Sequence, residues 1–148
     1  MKRIRRILHA TDFSGASGPA FDHAVALAKS ARAALTVVHV MAPVVPMIGD
    51  GYVSPGVLDD LERRARAYAE REMARLASKA RKAGVRVRPL LLEGAPADRI
   101  VRAAKARRAD LIVMGTHGRG PVAKFFLGSV AGRVVATASC PVLTVRGR

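Results

Sequence analysis

The sequence predicts an α/β protein with one open, five-stranded parallel sheet and helices on both faces of that sheet. Strand-like and helix-like segments alternate along the whole chain, which is the pattern of a parallel sheet with crossover helices. The strand-like segments are nearly continuous apolar runs, as expected for strands that are buried on both faces. No linker, repeat or low-complexity tract divides the 148 residues, so we expect residues 1–148 to form a single domain.

The first two strands flank a short amphipathic helix. Arg3 to Ala10 ends in an apolar run and is predicted to be the first strand, followed by a turn-rich segment. Ser17 can cap the next helix, in which apolar residues recur at spacings of three and four. The β-branched run from Leu35 to Met41 predicts the second strand. Three prolines and two glycines between Ala42 and Pro55 then predict a loop.

A long helix and a third strand follow. Gly56 to Ala83 is predicted to be helical, and Gly84 is placed to end the helix. The expected apolar stripe of this helix consists of Leu61, Ala65, Ala69, Met73, Leu76 and Ala80. Val85 to Leu92 predicts the third strand, and Pro89 places that strand near an edge of the sheet because proline lacks an N–H donor.

The last third of the chain predicts two more helices and two more strands. Pro96 to Arg108 is predicted to be a helix with Ile100 facing inward and basic residues mostly facing outward. The remaining predicted segments are a strand at Asp110–Gly115, a loop at Thr116–Phe126, a helix at Leu127–Ala138 and a strand at Pro141–Arg146. In such a sheet, ligands bind beyond the carboxyl ends of the strands, here at Ala10–Ser14, at Val40–Ala42 and from Gly115 onward.

The net charge and the cysteine count limit the possible classes of function. The chain has 26 Lys and Arg against 11 Asp and Glu, a formal charge of +15, which would suit nucleic acid, an anionic membrane or a phosphorylated ligand. Cys140 is the sole cysteine, so an internal disulfide is impossible and a reducing compartment is expected. The apolar stretches are too short to span a bilayer. We therefore expect a cytoplasmic protein without a membrane partner.

The most informative motif is Gly115-x2-Gly118-x9-Gly128-Ser129, between a predicted strand and a predicted helix. Glycines let a backbone approach a phosphate closely, and amides at a helix N-terminus can donate to that phosphate. A Walker A loop is excluded because Pro121 follows Gly120 where a lysine is required. A dinucleotide fingerprint is excluded because no acidic residue follows Asp110.

Three segments of the chain resemble the universal stress protein family, in its ATP-binding branch. They are the N-terminal Ile7–Ser14 block, the glycine motif after Asp110, and the closing block from Cys140 to Arg146. The resemblance implies a Rossmann-like sheet of the adenine nucleotide alpha hydrolase type. It also implies ATP as ligand, Mg²⁺ bound through the phosphates, and a homodimer paired through the last strand at Val142, Leu143 and Val145.

The same resemblance implies a set of nucleotide-binding residues. Gly115, Gly118, Gly128 and Ser129 would contact the triphosphate and ribose, Asp12 would lie beside the ribose, and the backbone near Val40 would contact adenine. The expected site is completed by Ala10, Thr11, Met114, Arg119 and Val130. Gly132 departs from the family pattern, which often has an acidic residue at that helix position.

Three functions remain open at this point. The first is a nucleotide-dependent switch in a stress response, and the second is a slow ATPase or phosphotransferase. His117 is equally well explained as an ordinary loop residue, because no partner carboxylate is identifiable and no catalytic set is predicted. The third is a nucleic-acid binder that works by charge alone. It is disfavoured because the basic helices contain almost no aromatic residues on which bases could stack.

Overall fold

The computed structural model describes residues 2–44, 53–117 and 127–147. Its strands are β1 (Arg6–Ala10), β2 (Ala34–Met41), β3 (Val87–Glu93), β4 (Leu111–Gly115) and β5 (Val142–Val145). Its helices are α1 (Gly18–Ala31), α2 (Pro55–Lys82), α3 (Pro96–Ala106) and α4 (Ser129–Thr137). A 3-10 turn, Gly15–Ser17, precedes α1. The predicted order of strands and helices is confirmed, and no predicted end is displaced by more than three residues.

The five strands form one parallel sheet in the order β3-β2-β1-β4-β5. Ile7 of β1 pairs in register with Leu35 of β2 on one side and with Leu111 of β4 on the other. β3 forms one edge of the sheet, as Pro89 predicts. The order along the sheet reverses between β1 and β4, so this point is where a ligand cleft is expected in an open α/β fold.

Each face of the sheet has its own hydrophobic core because successive strand residues point to opposite faces. Ile7, Val37 and Val113 pack on one face with α1 and α2, whose buried contacts include Phe21 and Met73. The neighbouring residues Leu8, Val38 and Ile112 pack on the other face with α3 and α4. Burial on both faces explains why these strands are apolar throughout rather than alternating.

The expected apolar stripe of α2 is wrong at its first two members. Ala65 is exposed and Leu61 is 47% exposed, whereas Ala69 onward is buried. The helix has 28 residues, about 42 Å at 1.5 Å per residue, whereas the longest strand has 8 residues and spans about 26 Å. The first turns of α2 therefore extend past the part of the sheet that could cover them.

Ser17 precedes α1, as predicted, but its side chain does not cap that helix. The backbone of Ser17 is already helical because the 3-10 turn leads directly into α1. Its hydroxyl instead donates to the Ser14 carbonyl oxygen at 2.8 Å and lies 3.1 Å from the hydroxyl of Thr11. The serine thus holds the turn after β1 against the start of α1.

Candidate functional site

A cleft of about 580 Å³ lies at the carboxyl ends of β1, β2 and β4, where the strand order reverses. Its volume falls in the range of about 300–1,000 Å³ that is usual for small-molecule sites. Nine of the eleven residues in the expected nucleotide site line it: Ala10, Thr11, Asp12, Val40, Met114, Gly115, Gly128, Ser129 and Val130. The other two, Gly118 and Arg119, lie outside the described residues.

The turn after β1 is held by its own side chains. Asp12 Oδ1 accepts hydrogen bonds from the Ser14 backbone N–H at 2.9 Å and from the Ser14 hydroxyl at 2.5 Å. Thr11 Oγ1 accepts from the backbone N–H of Phe13 at 3.1 Å. Phe13 is held at φ +63°, a left-handed conformation that is uncommon for an aromatic residue. These bonds fix the direction in which the Asp12 carboxylate meets the cleft.

An aromatic stack that the sequence did not suggest supports this turn from the side of β2. The Nδ1–H of His39 donates to the Thr11 carbonyl oxygen at 2.8 Å. The Phe13 ring stacks on the His39 ring with 4.1 Å between centroids, and Tyr68 of α2 meets Phe13 edge-on at 5.9 Å. His39 lines the cleft, so this stack connects the cleft wall to α2.

The start of α4 forms the opposite wall of the cleft. The backbone N–H of Gly128 donates to the Thr116 carbonyl oxygen at 2.7 Å, which ties the start of α4 to the end of β4. A Cβ atom on Gly128 would lie 2.9 Å from that same oxygen, so only glycine allows this close approach. The amides of Ser129, Val130 and Ala131 occupy the first turn of α4, where no helical carbonyl is available to accept from them. This arrangement can donate several hydrogen bonds to an anion.

The chemical character of the cleft differs between its two halves. Val38, Val40, Ile100 and Met114 give one half an apolar wall, and Asp12 is the one carboxylate among the described residues that line the cleft. Within the described residues, no group of three or more His, Cys, Asp or Glu side chains could hold a metal ion. A metal at this site would therefore depend on ligand oxygens, as Mg²⁺ commonly does with phosphates.

Two residues with shifted pKa values, His9 and Cys140, lie away from the cleft lining. His9 is fully buried, and its Nδ1–H donates to the Val113 carbonyl oxygen at 3.0 Å. Burial lowers the pKa of His9 to about 4, so the imidazole is neutral at physiological pH. Cys140 is half-buried against the α3–α4 side of the sheet, and burial raises the pKa of its thiol. Both observations fit structural roles.

The fold and the cleft together define an open α/β protein with a small-molecule site at its topological switch point. The chain belongs to the universal stress protein family, whose profile matches residues 3–146. A universal stress protein of Thermus aquaticus is 41% identical over 97% of this chain and 99% of its own. Within the described residues, no helix combines the length and the apolar character needed to cross a membrane.

Solved structures of the same family share the fold. Universal stress protein UspA of Lactobacillus plantarum is 28% identical, with a TM-score of 0.84 over 99% of this chain and 100% of its own. A universal stress protein solved in complex with cAMP is 24% identical, with a TM-score of 0.74 over 99% of this chain and 100% of its own. At that identity the second likeness concerns the fold alone.

Proposed function

We propose that the cleft binds an adenine nucleotide, ATP with Mg²⁺ on its phosphates, and that the protein acts as a nucleotide-dependent switch in a stress response. One observation carries the proposal. Three segments that are distant in sequence, after β1, after β4 and at the start of α4, meet in one cleft at the switch point of the sheet. A complex of one structural neighbour with cAMP is consistent with an adenine ligand.

Each half of the cleft suits one part of this nucleotide. The apolar wall around Val40 and Met114 offers a surface for adenine, whose edge the backbone after β2 would contact. The Asp12 carboxylate is an acceptor for the ribose hydroxyls. Gly115 and the first amides of α4 face the space left for the phosphates. ATP supplies the charge that the amides neutralise, and Mg²⁺ would bridge its phosphates.

A switch is favoured over an enzyme by the two histidines that line the cleft. His39 Nδ1–H is engaged by the Thr11 carbonyl, and His117 Nδ1 lies 3.0 Å from the Thr116 hydroxyl. Both rings are therefore held through Nδ1 by groups of the cleft wall, which gives them a structural use at this site. We therefore propose slow hydrolysis at most, with nucleotide occupancy as the signal.

The proposal includes a cytoplasmic homodimer. β5 forms an edge of the sheet, and Leu143 on that strand is 36% exposed. Val142 and Val145 are half-buried beside it. An edge strand with apolar side chains is a usual place for two copies to pair about a two-fold axis.

Calorimetric titration of Mg·ATP into the wild type and two serine variants tests the proposal. Ser129→Ala removes a hydroxyl at the phosphate end of the cleft, and we expect affinity to fall about five- to tenfold, the effect of one hydrogen bond. Ser139→Ala makes the same chemical change beyond the other end of α4 and should leave affinity unchanged. Absence of ATP binding by the wild type would overturn the proposal. Many turnovers per site in a phosphate-release assay would show that the protein is an enzyme rather than a switch.

A further inference from the structure

Most of the net positive charge of the molecule lies at the amino ends of the strands, opposite the cleft. In a parallel α/β fold, the amino ends of the strands and the carboxyl ends of the helices lie on the same side of the molecule, across the strand direction from the cleft. Four segments meet there, residues 2–6, 29–32, 81–86 and 105–110. They contain twelve basic residues: Lys2, Arg3, Arg5, Arg6, Lys29, Arg32, Arg81, Lys82, Arg86, Lys105, Arg107 and Arg108. All except Arg107 are exposed. We call this set the basic edge.

The sole acidic residue in these segments is Asp110, and its carboxylate is used internally. Asp110 Oδ2 accepts the backbone N–H groups of Arg5 and Arg6, each at 3.0 Å, and the side chain is 5% exposed. These hydrogen bonds lower the pKa of Asp110. Twelve basic residues against one acid give the basic edge a formal charge of +11, and the rest of the chain carries +4 of the total of +15.

The pairing of the strands brings these segments together. The Arg5 carbonyl accepts from Ala34 at the start of β2, the Arg6 carbonyl accepts from Asp110, and the Arg86 carbonyl accepts from Leu35. Lys2, Arg3 and Arg32 line a shallow groove of about 550 Å³ on this edge. The charges that are dispersed along the sequence are therefore neighbours in the fold.

Compensation of helix dipoles accounts for only part of this cluster. Lys29, Arg81, Lys82 and Lys105 lie in the last turns of α1, α2 and α3, where cations are favourable. Of the other eight, Arg32 and Arg107 are the C-cap residues of α1 and α3, and four form the run from Lys2 to Arg6 before and at the start of β1. Such a concentration of like charge is unfavourable for the free protein unless an anion offsets it.

We propose that the basic edge binds double-stranded nucleic acid through its phosphates, without reading the bases. Eight of the twelve residues are arginines, whose planar guanidinium groups suit phosphate oxygens. The first residues of four neighbouring strands, β3, β2, β1 and β4, span about 14 Å because adjacent strands lie about 4.8 Å apart. This span is comparable to the roughly 12 Å width of a major groove. The four segments contain no aromatic residue, so base stacking is excluded but phosphate contact is not.

A membrane surface fits this edge less well than a duplex. Peripheral membrane proteins usually insert large apolar side chains among their basic residues. The large apolar residues in these segments are Ile4, which is half-buried against the core, and Val85, which is 5% exposed. The edge therefore offers charge without an apolar anchor.

Fluorescence anisotropy with the full chain and labelled 20-base-pair duplexes of DNA and of RNA tests the proposal. The variant Arg3→Gln/Arg86→Gln/Arg108→Gln removes three charges from the basic edge. The matched control, Arg64→Gln/Arg71→Gln/Arg102→Gln, removes three exposed charges from α2 and α3. We expect the first variant to bind either duplex at least about tenfold more weakly, with a salt slope smaller by about 3. The control should retain wild-type affinity, and circular dichroism should show both variants folded.

Three results would overturn the proposal. They are an absence of duplex binding at about 100 mM salt, an equal loss in both variants, and a loss of duplex binding in the control variant alone. Binding to vesicles of phosphatidylcholine and phosphatidylserine, without duplex binding, would assign the edge to a membrane instead. Because the cleft and the basic edge lie at opposite ends of the strands, a failure of ATP to bind in the cleft leaves this test unaffected.

Discussion

His9 is the residue whose burial has the clearest consequence for stability. Its folded pKa is about 4, whereas the ordinary value in the unfolded chain is 6.5. The unfolded state therefore binds a proton first as the pH falls, and stability is lost between pH 6.5 and pH 4. We expect the free energy of unfolding to fall by roughly 3 kcal/mol through this histidine as the pH is lowered from 6.5 to 4.

Urea unfolding at several pH values measures this effect. His9→Asn keeps an N–H that can donate to the Val113 carbonyl but has no titrating group, so its curve should be flatter in acid. His23→Asn, at an exposed position of α1, is the control, and its free energy of unfolding should fall in acid as steeply as that of the wild type. Identical acid sensitivity in His9→Asn and the wild type would show that other groups cause the loss.

Substitution by alanine is predicted to change the stability of the fold in opposite directions at two glycines of the α4 region. At Gly128 the added Cβ would lie 2.9 Å from the Thr116 carbonyl oxygen, so Gly128→Ala should destabilise the fold by about 1–3 kcal/mol. At Gly132, inside α4, the nearest atom would be 4.0 Å away, so Gly132→Ala should stabilise by about 0.5–1 kcal/mol. Thermal unfolding measures both, and the same sign for both would contradict this account.

At the residue scale, the sequence predicted which motifs meet in the cleft but not how they are held. Asp12 and Ser129 follow from motif and family resemblance. The stack of Phe13, His39 and Tyr68 joins a turn, a strand and a helix that are far apart in sequence, so no local pattern indicates it. Gly128 lines the cleft, as the motif predicts, but the bond from its N–H to the Thr116 carbonyl has no signal in the sequence.

Among the secondary-structure elements, β5 is the one whose position at an edge of the sheet predicts a contact between two copies of the chain. Leu143 is exposed on an edge strand, so Leu143→Lys should place a charge at the proposed dimer contact and shift the protein toward monomer. Sedimentation velocity measures the change. Val135→Lys, on a residue of α4 that is 47% exposed, is the control and should leave the mass unchanged. A wild type that sediments as a monomer would contradict the proposed pairing.

At the element scale, the sequence predicted nearly everything because both signals are strong, the continuous apolar run of a buried strand and the spacing of three and four in an amphipathic helix. Apolar runs of strand length alternate with amphipathic helices, and Pro89 located an edge strand. The exposed first turns of α2 were missed for a physical reason. Periodicity shows which side of a helix is apolar, but the length of the neighbouring strands determines how much of that side is covered.

For the molecule as a whole, the structure shows where most of the net charge of +15 lies. Along the sequence the basic residues are dispersed, and no single segment accounts for the charge. The fold gathers twelve of them at the amino ends of the strands, opposite the cleft. The fold class together with the helix ends would have been enough to predict this gathering, because a parallel α/β fold places all strand starts at one edge.

The central claim is that an adenine nucleotide occupies the cleft at the carboxyl ends of the strands. Amide chemical shifts of ¹⁵N-labelled protein, recorded during titration with Mg·ATP, test it most directly. We expect the amides of Thr11, Gly115, Ser129 and Val130 to shift saturably, while those of the Lys2–Arg6 segment stay unchanged. Shifts confined to the basic edge, or none at all at millimolar ATP, would contradict the account.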